Sequence, residues 1–285
     1  MDRSAYFDTP WGARRPRGVR AALIQLGHRL PPTWLGARLG FLVRRLARAR
    51  LGGPVDVELW GVRFRLFPRG NITEGRLLFM PRQWDPAERE AIRSHARPGA
   101  VFVDVGSNVG AYSWWVRSLL GDACRILALE PDPELKAGLV WHVEQNGAAG
   151  FEVDGTAAGR EEGEAILRIH RANRGQNTLA GTERFEDDAV ETKHTVRVAP
   201  LSRILQEHGI DHVDILKIDI EGLEWDVLST FFDQAPPSLW PRLLITEHSE
   251  SDSHQRLAAL LEERGFGVLS RTRMNLILEY DGKRS

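Results

Sequence analysis

Cysteine is almost absent from this chain of 285 residues. The single Cys124 excludes an internal disulfide and any cysteine-rich zinc centre, so the fold needs no oxidising compartment. No apolar run approaches the ~18 residues a spanning helix requires. With Asp2 so early and no apolar stretch ahead of a small-residue cleavage site, the first residues do not read as a secretory leader. The expected location is therefore cytoplasmic. Internal repeats and low-complexity tracts are also missing. Lysine is absent from residues 1–52, and acids nearly so: eleven arginines face only Asp2 and Asp8, a balance of +9 against −10 for the remainder. Such a split marks a segment that meets an anionic membrane surface or nucleic acid.

What is present is enough to fold. Apolar residues make up 42% of the chain, enough for a sizeable core. Residues 1–18 are rich in Pro, Gly and Arg and are expected to be irregular. Val19, Ala22, Leu23, Leu26 and Leu30 follow helical spacing until Pro31-Pro32 stops them. Thr33 can cap a second helix, on which Leu35, Leu39, Leu42, Leu46 and Ala49 share one face flanked by Arg38, Arg44, Arg45 and Arg48. The plainest role for this basic extension, 1–52, is a solvated helical cap over the hairpin that follows; peripheral membrane contact through 19–50 is the next alternative, and nucleic acid the last. In 53–99, strict alternation in 55–59 and 62–66 about Trp60-Gly61 predicts a β-hairpin with acids facing arginines, followed by a helix over 86–97.

From residue 100 to 285 strands and helices alternate. Strands are predicted at 100–105, 125–130, 151–154, 213–219 and 242–247, and helices at 109–120, 133–146, 222–232 and 253–264. A strand pair near 164–170 and 193–199 interrupts the rhythm, and two adjacent strands close the chain. The expected fold class is α/β: a Rossmann-like, mostly parallel sheet with one antiparallel edge.

Three strand ends carry the chemistry. The first is Asp104-Val105-Gly106-Ser107-Asn108-Val109-Gly110, an acid and a glycine turn opening a helix. Gly106 and Gly110 let backbone and ligand approach. A dinucleotide loop wants G-x-G-x-x-G, but Asn108 and Ala111 stand at the second and third glycine positions, and a pyrophosphate would be repelled by Asp104. S-adenosylmethionine has no phosphate; its ammonium, sulfonium and ribose diol suit carboxylates. The second end is Glu130-Pro131-Asp132, where Glu130 lies at the offset from which an acid reaches ribose hydroxyls and Asp132 reads as an N-cap. The third is Lys217-Ile218-Asp219-Ile220-Glu221-Gly222-Leu223-Glu224. There Asp219 or Glu221 can serve as general base, as can His248 at the end of the next strand. Glu221 and Glu224 can equally be helix-start charges. Asp219 with Glu247 offers oxygen ligands for Mg²⁺. Asn173, Gln176 and Asn177 form a polar loop, either acceptor-binding or turn-forming. Trp114 and Trp115 read as helix packing. His208 and His212 at i, i+4 lack the H-E-x-x-H context of a zinc site.

In order and spacing the three blocks resemble the FkbM-type methyltransferases over roughly residues 70–280, with Ser107 where that family commonly has Ala. The segment Asn173–Leu179 also resembles a loop of that family; residues 1–52 lie outside. The resemblance implies a class I methyltransferase fold, S-adenosylmethionine as donor, and O-methylation of a small-molecule, natural-product or sugar hydroxyl. It implies Asp104, Gly106, Ser107, Asn108, Gly110, Glu130, Pro131 and Asp219 as cofactor residues. No metal-ligand residues are assigned and no nucleic-acid partner is expected. The alternatives are an NAD-dependent oxidoreductase, against which the absence of Tyr-x-x-x-Lys counts, and a non-catalytic binding module.

Overall fold

The structure, a computed structural model, describes residues 3–48, 52–170, 172–179, 189–249 and 251–282. Helices α1 (Val19–Arg29) and α2 (Trp34–Arg48) form a helical hairpin. Thr33 Oγ1 accepts from Gly36 N at 3.2 Å, capping α2. Strands β1 (Val55–Leu59) and β2 (Val62–Leu66) pair antiparallel, placing Asp56 opposite Arg65 and Glu58 opposite Arg63. The turn between them has positive φ at both Trp60 and Gly61, the conformation that matches strand twist in two-residue hairpins.

The chain continues through α3 (Ile72–Phe79), α4 (Pro86–His95), β3 (Ala100–Val105), α5 (Ala111–Leu120), β4 (Cys124–Leu129), α6 (Pro133–Asn146) and β5 (Phe151–Asp154). An insertion follows: β6 (Ala157–Gly159), β7 (Gly163–His170), β8 (Thr178–Leu179) and β9 (Val190–Pro200). Then come α7 (Leu201–Glu207), β10 (Ile215–Ile218), α8 (Glu224–Gln234), β11 (Leu243–Glu247), α9 (Asp252–Glu263), β12 (Phe266–Arg271) and β13 (Asn275–Tyr280).

The main sheet has the order β12-β13-β11-β10-β3-β4-β5. The five strands from β11 to β5 are parallel, and β13 and β12 are antiparallel. This is the expected fold class, with the antiparallel edge at the chain's end. The four inner parallel strands, β11, β10, β3 and β4, are near-continuous apolar runs because both faces are covered, while the edge strand β5 alternates. One apolar cluster packs α5, the hairpin, α3 and Trp84 on one face, and another packs α7, α8 and α9 on the other. The order reverses between β3 and β10, so their carboxyl ends form the switch point where open α/β sheets bind ligands.

Several details depart from expectation. Residues 3–18 hold one 3₁₀ turn, Ser4–Tyr6, yet they are firmly docked. Arg3 pairs with buried Glu74 at 2.8 Å, and the carbonyls of Thr9 and Pro10 accept from buried Arg65. The interrupting strand pair, β7 and β9, belongs to a separate four-stranded sheet. Helices α3 and α7 carry too few turns for periodicity to reveal them. Helix α2 packs the other way round. Gly36, Gly40, Val43 and Ala47 face the body, and the leucine stripe faces outward. The glycines decide this. A Cβ on Gly40 would lie 2.9 Å from Met80 Cγ, and one on Gly27 of α1 would lie 2.2 Å from the Phe79 carbonyl oxygen, so only a small-residue face can approach α3 so closely.

Candidate active site

The site is built where β3, β4 and β10 end. Asp104, one residue from the end of β3, is buried, and Ser113 Oγ donates to its Oδ2 at 2.6 Å. Burial pushes this carboxyl up to about 6, against the pull of Ser113 and Lys217. The chain then turns through Gly106, φ +76°, and Asn108, φ +55°. The Gly106 and Ser107 amides both donate to the Leu129 carbonyl at 3.0 Å. A Cβ on Gly106 would sit 2.0 Å from the Asp219 carbonyl oxygen, so glycine there is a condition for the β3 and β10 ends to meet. Gly110, φ +70°, is the N-cap of α5, and its missing Cβ leaves room for Leu139.

Glu130 is buried just beyond β4. Its carboxylate accepts from Asn108 N at 2.6 Å and Asp132 N at 2.9 Å, tying the first turn to the second. Burial, reinforced by the Asp132 charge, pushes Glu130 up to about 8, while the two amides oppose the rise. Asp132 caps α6 through the amides of Glu134 and Leu135. It also binds Arg174 at 2.6 Å and Asn177 Nδ2 at 2.8 Å. Asn173 Oδ1 accepts from Ile72 N and Gly175 N, so this loop is both a turn and a wall of the site.

At β10, Lys217 lies directly opposite Asp104 in the ladder. It is buried, with Nζ 3.2 Å from Asp219 Oδ2 and 5.4 Å from the Tyr112 ring centre. The Tyr112 hydroxyl donates to Asp85 Oδ2 at 2.9 Å. Burial, then the Asp85 charge, raises that phenol well above its usual value. Glu224 accepts from Ile220 N at 2.8 Å and Gly222 N at 2.9 Å, holding the loop that carries Asp219 and Glu221, the latter at φ +56°.

Two cavities meet here. The first spans about 600 Å³, part of it open to solvent. Leu129, Glu130, Pro131, Thr156 and Ala157 line one end, and Val105, Asp219 and Ile220 the other. The second is more polar, with Asp104, Ser107, Tyr112, Lys217, Arg76 and Gln176 on its wall. Gly106, Asn108, Gly175, Asp219 and Glu221 line both.

Each candidate residue has a definite place. Asp104, Ser107, Asn108, Glu130, Pro131, Asp219 and Glu221 line one or both cavities. Gly110 acts behind the wall. His248 is not among the residues lining either cavity; its amide donates to the Met274 carbonyl at 2.8 Å. The Mg²⁺ expectation finds no support. Among the described residues Glu247 groups with Glu224 and His254, not with Asp219, and Glu224 already holds two backbone amides. Lys217, Tyr112, Thr156, Arg174 and Asn71 escaped sequence reasoning. Of these only Lys217, a cation inside an apolar strand, gave a local signal. Asn71 caps α3, and its Nδ2 donates to Asn108 Oδ1 at 2.6 Å. Trp114 is buried in the core, and His208 bridges Glu152 and Asp154.

The strand-end residues of this constellation, from Asp104 to Glu224, lie within residues 104–268, the stretch that matches the family of the methyltransferase FkbM domain. The chain belongs to the FkbM methyltransferase family. This FkbM chain is 25% identical over 187 residues to methyltransferase 1 of Beauveria bassiana, covering 58% of this chain and 72% of that protein. It is 24% identical over 209 residues to the AMB antimetabolite synthetase AmbE of Pseudomonas aeruginosa, covering 60% of this chain but only 10% of that far longer protein. Among solved structures, the METTL16 methyltransferase domain aligns with a TM-score of 0.44 and 15% identity, covering 78% of this chain and 74% of that one. Membership in the family removes the oxidoreductase alternative.

Proposed function

We propose that this FkbM domain transfers a methyl group from S-adenosylmethionine to a hydroxyl of a small molecule, natural product or glycan. The observation that carries this reading is the junction of two cavities of different polarity through Gly106, Asn108, Asp219 and Glu221. The less polar cavity suits the donor. Glu130 accepts two amides, and a carboxylate has about four lone-pair sites, so it keeps capacity for the ribose hydroxyls beside Thr156 and Ala157. At the junction Asp219, which lines both cavities, and Asp104, on the wall of the polar one, complement an ammonium. The buried Ser107 hydroxyl, which has no hydrogen-bond partner among the described residues, faces the same region. These residues fit S-adenosylmethionine.

When bound, the donor supplies an already activated methyl group, so the protein's task is alignment. The polar cavity orients a hydroxylated acceptor through Tyr112, Gln176 and Arg76. The junction would receive the acceptor hydroxyl, and Asp219 or Glu221 would take up its proton. Lys217 holds Asp219 in place and offsets the acid charge at the junction. His248, outside both linings, is given no part in this step.

The test is a coupled assay of S-adenosylhomocysteine release across a panel of hydroxylated acceptors, with Asp219→Asn and Glu221→Gln beside wild type. Loss of the base should lower kcat about 10²- to 10⁴-fold; donor affinity from calorimetry should change only a few-fold in Glu221→Gln, and should fall in Asp219→Asn, which also removes a charge facing the donor's ammonium. Turnover with amine acceptors alone, or wild-type rates in both variants, would overturn the assignment.

A further inference from the structure

The amphipathic pattern of α2 is turned inside out. A helix on a globular body normally buries its large apolar side chains and exposes small and polar ones. Here the small side chains are buried, and Leu35, Leu39, Leu42 and Leu46, spaced i, i+4, i+7 and i+11, are exposed by 43–60%. Trp34 and Phe41 on the same helix are exposed by 69% and 57%. The exposed arginines Arg38 and Arg45 flank the stripe, and Arg38 stacks 4.0 Å over the Trp34 ring. A contiguous apolar surface of this kind, rimmed by charge, marks a contact face.

Charge indicates what covers it. Between Asp8 and Asp56 the chain carries no acid at all. Beside the start of α1, residues Arg14, Arg15, Arg17 and Arg20 line a cavity with Tyr6, Gly52 and Pro54, and no acid lies on its wall among the described residues. Arg14 Nε in that cavity is buried without a hydrogen-bond partner among the described residues. Helix α1 starts there without a side-chain cap or an acid in its first turn, which leaves its amides available to an anion.

We propose that α1, α2 and the arginine cavity form a docking face for an anionic phospholipid surface, with the leucine stripe entering the headgroup–acyl boundary and the arginine cavity receiving a lipid phosphate. No described helix is long and apolar enough to cross a membrane, so the contact is peripheral: a helix lying in the interface. A second copy of the chain fits less well, because two such faces would oppose their own positive charge. Nucleic acid would engage the arginines but leave the leucines without a use. Docked in this way, the domain would draw its hydroxylated acceptor from, or close to, the lipid surface.

The experiment is co-sedimentation of the full chain with vesicles of phosphatidylcholine alone or of an equimolar phosphatidylcholine–phosphatidylglycerol mixture, at low and high salt. The variants are Leu39→Ser/Leu42→Ser and Arg38→Glu/Arg45→Glu, all at exposed positions outside the donor site. The wild type should bind the anionic vesicles and release them at high salt. The arginine pair should lose at least ~20-fold in partitioning, about fivefold per cation removed, and the leucine pair roughly tenfold or more. All variants should keep wild-type affinity for S-adenosylmethionine, which shows that they fold. Failure of the wild type to bind that donor would count against the proposed function and not against the docking face. Equal binding to neutral vesicles, no binding to either, or a leucine variant that binds like wild type overturns the proposal. So does a dimer, detected by light scattering, that the leucine variant disperses while vesicles capture nothing.

Discussion

Replacing Gly106 by alanine tests whether the meeting of two strand ends builds the site. The added Cβ faces two costs. At φ +76° an L-residue is strained, by about 1–2 kcal/mol. The methyl would also sit 2.0 Å from the Asp219 carbonyl oxygen, a backbone atom that cannot swing aside. Overpacking of this sort costs about 1–3 kcal/mol more. Gly99 separates the two costs. It has φ +87°, a Cβ added there would meet nothing within 4 Å, and it lies at the opposite end of β3. Thermal unfolding followed by circular dichroism should show Gly99→Ala losing only the conformational part. Gly106→Ala should lose about 2–5 kcal/mol, roughly 3–8 °C in a chain of this size. Calorimetric titration with S-adenosylmethionine should then find donor affinity intact in Gly99→Ala and reduced at least tenfold in Gly106→Ala, since β10 must retreat and carry Asp219 with it. Equal melting losses and equal donor affinities in the two variants would refute the reasoning.

Two further predictions concern buried charge. Glu130 is pushed up to about 8 in the folded chain from an ordinary carboxyl value of 4.5, so between these limits the folded state binds more protons than the unfolded one, and stability falls as pH rises. His142, held neutral by burial with its value lowered to about 3, acts in the opposite sense on the acid side, so the informative quantity is the difference between wild type and Glu130→Gln. Melting temperatures of the two measured from pH 4.5 to 8.5 without donor should diverge progressively in favour of the variant, and parallel curves would refute the assignment. Asp56 and Arg65 form a fully buried pair at 2.7 Å. Asp56→Ala strands the guanidinium and frees the amides of Gly12 and Arg14, so denaturant unfolding should show a loss of about 3–5 kcal/mol; a loss below about 1 kcal/mol would mean that the N-terminal segment is not anchored there.

The sequence by itself determined the α/β class, the strand–helix rhythm and the identity of the carboxyl-edge acids. Each of these is a local pattern: an apolar run, an acid or glycine at its end, a helix start beyond. Because an open parallel sheet aligns all its carboxyl ends, Asp104, Glu130 and Asp219 had to share one edge once their strands were recognised. Tertiary structure alone decided the partners. Lys217 meets Asp104 through the register of β10 on β3, Arg174 reaches Asp132 from the connection between β7 and β8, and Asn71 reaches Asn108 from a helix too short to show a period. Sequence separation carries no information about such contacts. The same limit governs α2. Periodicity defines a leucine face and a small-residue face but not which one packs, and the outcome turned on how closely Gly27 and Gly40 let the helices approach Phe79 and Met80. That choice, made in three dimensions, left the leucines facing outward.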